Sequence, residues 1–267
     1  MEEEKKDKDT VISSHDFYQE LKKLPKIDLI GFGIRGLDDV LGGFALGDLI
    51  TVSGFTGFGK TTLAQTISYN LGQQKIRAMW FSFELTARQF FSKYTEDDLP
   101  LFYLPTNNKP YDLEWIEKKI IEAKTKYDIK IAFIDHLHYL VPMVTNSNIK
   151  QNKGDIVGDT MRTLKLLAVK YDIAIFLMAH TKQPKDNNSP VIGDLRDSSF
   201  VGQESDIILI MHRPSKRGKR DEYEDYGTCT IAKQRDGGHY GKIKLEVHNK
   251  MFYDPITAED EQVYETE

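Results

Sequence analysis

The sequence predicts an α/β fold, with a mostly parallel central sheet flanked by helices and a β-hairpin on its carboxyl-terminal side. Apolar bursts recur at 49–52, 78–83, 131–135, 174–179 and 206–212. Amphipathic stretches at 61–71, 113–127 and 155–171 separate the first four, and this alternation favours strands covered by helices on both faces. Past residue 206 the helical period stops, and strand-like segments at 229–234 and 242–248 flank a glycine-bearing turn at 236–241.

In chain order, 1–10 is a mixed-charge tail with neither the apolar core of a signal peptide nor the acid-poor character of a transit peptide. Ile12, Phe17, Leu21 and Leu24 share one face of a short helix, which either packs on its own domain or forms an arm that docks on a neighbouring subunit. The expected division is therefore a tail with a short linker-like helix (1–30), one α/β domain (31–254) and an acidic tail (255–267).

Hydrophobic content of 40% across 267 residues is enough for one large core. No apolar run is long enough for a membrane span, so no membrane partner is expected. A single cysteine, Cys229, rules out an internal disulfide framework and suits a reducing cytoplasm. A net charge of −5 confines any nucleic-acid contact to a local basic patch.

The segment 54–62 reads GFTGFGKTT and follows the first strand directly. Gly54-x-x-x-x-Gly59-Lys60-Thr61 matches a phosphate-binding loop in the strand–loop–helix setting that the motif requires. Backbone N–H groups from Gly54, Phe55, Thr56, Gly57, Phe58 and Gly59 through to Thr62 can face phosphate oxygens at a helix amino end. Lys60 would reach the β- and γ-phosphates of ATP, and the Thr61 hydroxyl would hold Mg²⁺. Asp135 closes the strand IAFID and Glu84 follows the strand WFSF. Both belong at carboxyl ends of parallel strands, where ligands gather, Asp135 on the metal and Glu84 orienting the attacking water. His180 ends AIFLMA in the same way and could report the γ-phosphate to the loop that follows.

The ordered set of these motifs resembles the carboxyl-terminal, RecA-like motor domain of DnaB-type replicative helicases. It is carried by GIRGLDDVLGGFALGDLITVSGFTGFGKTT, by FSFELTARQ with Glu84, and by FIDHLHYL with Asp135, where the family usually has tyrosine in place of His136. MRTLKLLAVKYDIAIFLMAH leads to the sensor position, with a histidine like that of phage-type relatives. DLRDSSFVGQESD and AKQRDGGHYG complete the set.

The resemblance covers about 31–254 and implies an ATP-driven, ring-forming motor on single-stranded DNA in replication, six subunits, 5′ to 3′ movement, and a bacterial, plasmid or phage setting. It also implies that Lys233 and Arg235 enter the neighbouring subunit's ATP site. About thirty residues precede the matched region, too few for the family's primase-binding collar domain, and 93–99 is shorter than in most relatives. Primase or a loader therefore enters only as a possible partner. A RecA-like ATPase of the recombination or clock-signalling kind is the alternative, since GLDDVLGG resembles the start of those domains too.

For DNA contact, the loop 182–197 offers Lys182, Lys185 and Arg196, and a second loop, 141–153, offers Lys150 and Lys153. The basic string at 213–226 carries its own acids and reads as a hairpin loop at the surface or subunit edge.

Overall fold

The computed structural model describes residues 11–23, 28–107, 113–141, 153–182, 189–195, 198–216, 222–235 and 237–255. Nine strands form one sheet: β1 (Leu49–Gly54), β2 (Ala78–Ser82), β3 (Phe102–Tyr103), β4 (Ile131–Asp135), β5 (Ala174–His180), β6 (Ile207–His212), β7 (Tyr226–Gln234), β8 (Gly241–His248) and β9 (Met251–Tyr253). Their order is β3-β2-β4-β5-β1-β6-β7-β8-β9. Pairing is parallel from β3 through to β6 and antiparallel from β6 to β9. β1 lies inside the sheet while the chain continues to β2, on the far side of β5 and β4. This crossover opens a crevice at the strands' carboxyl ends.

The predicted strands and hairpin are present with ends shifted by a few residues. α5 (Leu113–Tyr127) matches its prediction, whereas α3 (Lys60–Gln73) and α7 (Lys153–Lys170) differ at their ends. The elements the periodicity did not reveal are short: α2 (Arg35–Leu41), β3, α4 (Ala87–Phe91), α6 (Leu137–Leu140), α8 (Ser198–Glu204) and β9. Local chemistry explains several of them. Thr86 and Gln89 form a reciprocal capping box on α4. α2 ends at Gly42, which takes a left-handed conformation at φ 70°. The first N–H groups of α2, on Arg35 and Gly36, donate to the Asp254 carboxylate at 2.8 and 2.9 Å, tying the two ends of the domain together.

The parallel strands β1, β2, β4, β5 and β6 are buried on both faces, so they read as continuous apolar runs, whereas β7 and β8 are buried only at alternate or isolated positions. On the face covered by α2 and α3, Trp80 stacks on Phe133 with ring centroids 4.5 Å apart, and Phe133 on Phe176 at 4.8 Å. The buried indole N–H of Trp80 donates to Ser68 Oγ at 2.9 Å. The other face, with Phe81, Ile134, Ile175 and Leu177, packs against α5 and α7.

α1 (Ser14–Leu21) buries none of its residues, so it is not a helix packed on its own domain; Phe17 and Tyr18 are each more than half exposed. Leu24 and both tails lie outside the described residues, apart from Pro255. Among the described residues, no helix is long and apolar enough to cross a membrane.

Candidate active site

The loop between β1 and α3 is held by its neighbours. A Cβ on Gly54 would lie 2.7 Å from the Met211 carbonyl oxygen of β6, closer than a side chain can approach. Gly59 has φ 92°, and a Cβ there would meet the Phe252 ring at 2.8 Å. Phe58 is buried and anchors the loop, with its ring 5.1 Å from His212 and 5.8 Å from Tyr223. Thr56 is exposed at the loop's crest.

Lys60 opens α3 with only 5% of its surface exposed and donates to the Phe55 carbonyl at 3.2 Å, inside the loop. Burial lowers its pKa to about 8, against the pull of Asp135 and Glu84. A phosphate seated in the loop would supply the negative charge that this ammonium lacks. Asp135, at the end of β4, is fully buried. Its Oδ2 accepts the Thr61 hydroxyl at 2.8 Å, and its Oδ1 is a buried acceptor with no hydrogen-bond partner among the described residues. Burial pushes this carboxyl up to about 6; Glu84 adds to the rise, and Thr61, Lys60 and Lys93 oppose it. An orphaned carboxylate oxygen beside a hydroxyl fits a hard divalent cation such as Mg²⁺.

Glu84 lies two residues past β2, its side chain a third exposed. Its Oε2 is 3.5 Å from His136 Nε2 and 4.0 Å from His180 Nε2. His180 closes β5 opposite Gly54 in register, with Nδ1 3.5 Å from the Thr56 hydroxyl. Lys60, Thr61, Asp135, Glu84 and His180 thus meet at one end of the sheet, where the sequence put them.

Arg235 and Lys233 lie at the other end. Arg235 pairs with Asp206 at 2.7 Å and donates to the Gln203 carbonyl at 2.8 Å. Asp206 also accepts the Leu49 N–H at 2.8 Å and pairs with Lys165 at 2.6 Å. Leu49 begins the strand that the phosphate loop ends, so about 17 Å of strand separates Arg235's partner from its own chain's loop. Lys233 caps α8, donating to the Gly202 and Ser205 carbonyls at 2.6 Å each.

Sequence reasoning missed several neighbours of the loop. Lys93, just past α4, donates to the Thr62 hydroxyl at 2.7 Å, and burial lowers its pKa to about 8, with Lys250 and Arg213 adding to the fall. Arg213 lies over the Tyr223 ring, 5.7 Å from its centroid, and a Cβ on Gly57 would touch the Tyr223 hydroxyl at 3.0 Å. Both belong to the string read as a surface hairpin, and an antiparallel bridge between Ser215 and Tyr223 does pair its described arms; what that reading lacked is that Tyr223 packs on the phosphate loop, against Phe58. The aromatic residues among its charges, Tyr223 above all, were the signal.

Of the predicted DNA contacts, Lys182 is exposed two residues after His180, its N–H donating to the Asp194 carbonyl at 2.8 Å. Lys185, Arg196 and Lys150 lie outside the described residues, and Lys153 opens α7 with its side chain undescribed.

Residues 30–101 and 98–253 match the DnaB-like helicase C terminal domain family. The chain is 25% identical over 253 residues to the replicative DNA helicase DnaB of Treponema pallidum (strain Nichols), covering 82% of this chain and 54% of that protein. It is 24% identical over 251 residues to a probable plasmid replicative DNA helicase of Chlamydia trachomatis, covering 81% and 52%. The chain thus spans about half the length of these curated relatives. Among solved structures, one ATPase domain superposes with a TM-score of 0.73 at 18% identity, over 91% of this chain and 97% of that one. A DnaB-like replicative helicase, described with its interactions with primase, gives 0.73 at 19% identity, over 91% and 67%. These two likenesses show the fold, which is RecA-like.

Proposed function

The chain belongs to the DnaB-like helicase C-terminal domain family, and we propose that it is the ATP-hydrolysing motor of a ring-forming replicative DNA helicase, a hexamer that translocates on single-stranded DNA. The observation that carries this reading is the division of the site. Lys60, Thr61, Asp135, Glu84 and His180 gather at one end of β1, and Arg235 is held at the other, by Asp206. In this reading a second copy brings Arg235 to the nucleotide. The family match does not favour a recombination or clock-signalling ATPase.

ATP phosphates lie in the loop against its N–H groups and Lys60. Thr61 and Asp135 would hold Mg²⁺, which when bound neutralises charge on the β- and γ-phosphate oxygens. Glu84 orients a water and takes its proton as the water oxygen attacks the γ-phosphorus. Arg235 of a neighbouring subunit stabilises the charge on the transferred group, so hydrolysis waits for assembly. His180 touches both the loop and Glu84, and Lys182 follows it, so nucleotide state can reach a DNA-bearing segment over two residues. Primase or a loader is a partner of the assembled ring, in a bacterial, plasmid or phage cytoplasm.

The test is strand displacement with ATP on forks carrying a 5′ or a 3′ single-stranded tail. Unwinding that needs the 5′ tail is expected. DNA-stimulated hydrolysis with no displacement from either fork would make the chain an ATPase accessory rather than a helicase.

A further inference from the structure

The carboxylate read as the base lies between two imidazoles. Glu84 Oε2 faces Nε2 of both His136 and His180, at 3.5 and 4.0 Å, and the two rings meet edge to face with centroids 4.3 Å apart. Two histidines and a carboxylate are a donor set that transition metals accept. The far edge of His136 argues against that use. Its Nδ1 accepts the backbone N–H of His138 at 3.2 Å. In the neutral ring the proton therefore sits on Nε2. That nitrogen has no lone pair to give a cation, but it has an N–H aimed at Glu84. The ring is 7% exposed and packs against Tyr139 with centroids 4.8 Å apart, so it does not turn freely.

We propose that His136 is a positioning residue, whose Nε2–H holds Oε2 of Glu84 and leaves Oε1 turned towards the attacking water. The inference rests on the reading of Glu84 as the base. In the step it serves, the water proton passes to Oε1 and the water oxygen bonds to the γ-phosphorus. The bond from that phosphorus to the β–γ bridging oxygen breaks, and ADP carries the electron pair away. At 3.5 Å the contact is longer than a formed hydrogen bond. Catalytic contacts of this kind tighten when substrate is seated.

A histidine locked from behind by a backbone N–H only donates.

Two substitutions separate positioning from packing. His136→Asn puts its amide near the old Nδ1, where the carbonyl can still accept the His138 N–H but no donor reaches Glu84. His136→Gln puts an amide N–H near the old Nε2. Steady-state ATP turnover, KM for ATP and fluorescent-nucleotide Kd are measured for both, alone and with Glu84→Gln. His136→Asn is expected to lose about tenfold or more in kcat, as misplacement of a reacting group by a fraction of an ångström does, with KM and Kd within about twofold. His136→Gln is expected to recover most of that loss. With Glu84→Gln already present, His136→Asn is expected to cost nothing more, since the group it acts through is gone.

Equal losses in the Asn and Gln variants, additive losses on top of Glu84→Gln, or a Kd that weakens in step with kcat would each overturn the positioning role while Glu84 remained the base. Inhibition by Zn²⁺ that His136→Asn relieves would overturn it too, in favour of a metal site. Near-normal turnover in Glu84→Gln alone would instead remove the base, and with it both readings.

Discussion

At the scale of single residues, the roles proposed for Glu84 and Lys60 divide chemistry from binding. Glu84→Gln is expected to keep nucleotide affinity and lose turnover by roughly 10² to 10⁴, the range for a positioned acid–base group. Lys60→Ala is expected to weaken both, because it removes the charge inside the loop. Nucleotide binding and steady-state turnover read the two apart, and equal affinity losses in both variants would refute the division.

Asp135 makes a different demand. Its carboxyl has a folded-state pKa of about 6 against an ordinary 3.8, so between those values the folded protein holds a proton that the unfolded chain has released. This group therefore costs nothing below about pH 4, its cost accumulates between about pH 4 and 6, and it is constant above that. Asp135→Asn is expected to raise the melting temperature at pH 7.5 without Mg²⁺, by a stability on the order of 3 kcal/mol, and to lose most of that gain at pH 4.5. Calorimetry at the two pH values checks it; a gain independent of pH would refute burial as the cause.

At the scale of elements, the strand-end rule made much of the site legible, because a parallel strand delivers its last residue to the crevice whatever its length. Asp135, Glu84 and His180 could therefore be placed without a register. Lys93, Arg213 and Tyr223 could not. Lys93 follows the five-residue α4, too short to show a period, and a hairpin read at 213–226 does not say which distant element Tyr223 packs on, here Phe58. α1 was legible as a helix but not in its packing, since an apolar stripe looks the same before and after it finds a partner.

The segment after β5 carries the third prediction. DNA binding through phosphates releases counterions, so log affinity falls by about 0.7 per log unit of salt for each phosphate neutralised on a single strand. Replacing Lys182 and Lys185 by alanine is expected to flatten that slope by up to about 1.4 and to weaken binding alike on all sequences, with basal turnover retained and its stimulation by DNA reduced. An unchanged slope would move the DNA path to 141–153.

For the whole molecule, the proposed role of Arg235 belongs to the assembly and not to the chain. Arg235→Ala is expected to bind ATP without hydrolysing it, and Lys60→Ala to fail through its own loop. Mixed, the two should recover a fraction of activity, because an intact loop then faces an intact arginine at some interfaces. Mass measurement verifies that joint rings form, and joint rings with no recovery would return Arg235 to its own chain. The sequence implied this arrangement only through resemblance. The folded chain supports it physically, by fixing Arg235 a strand's length from its own loop, on the carboxylate that also accepts the Leu49 N–H and pairs with Lys165.

In the proposed ring, the arginine at one end of a strand and the loop at the other meet different neighbours, so every interface is head to tail. An open row of such copies would always leave one loop without an arginine and one arginine without a loop. Only closure completes the last pair. A break in the circle would silence one site while its neighbours kept turning over, so the ring's catalytic count would itself report whether the circle is shut.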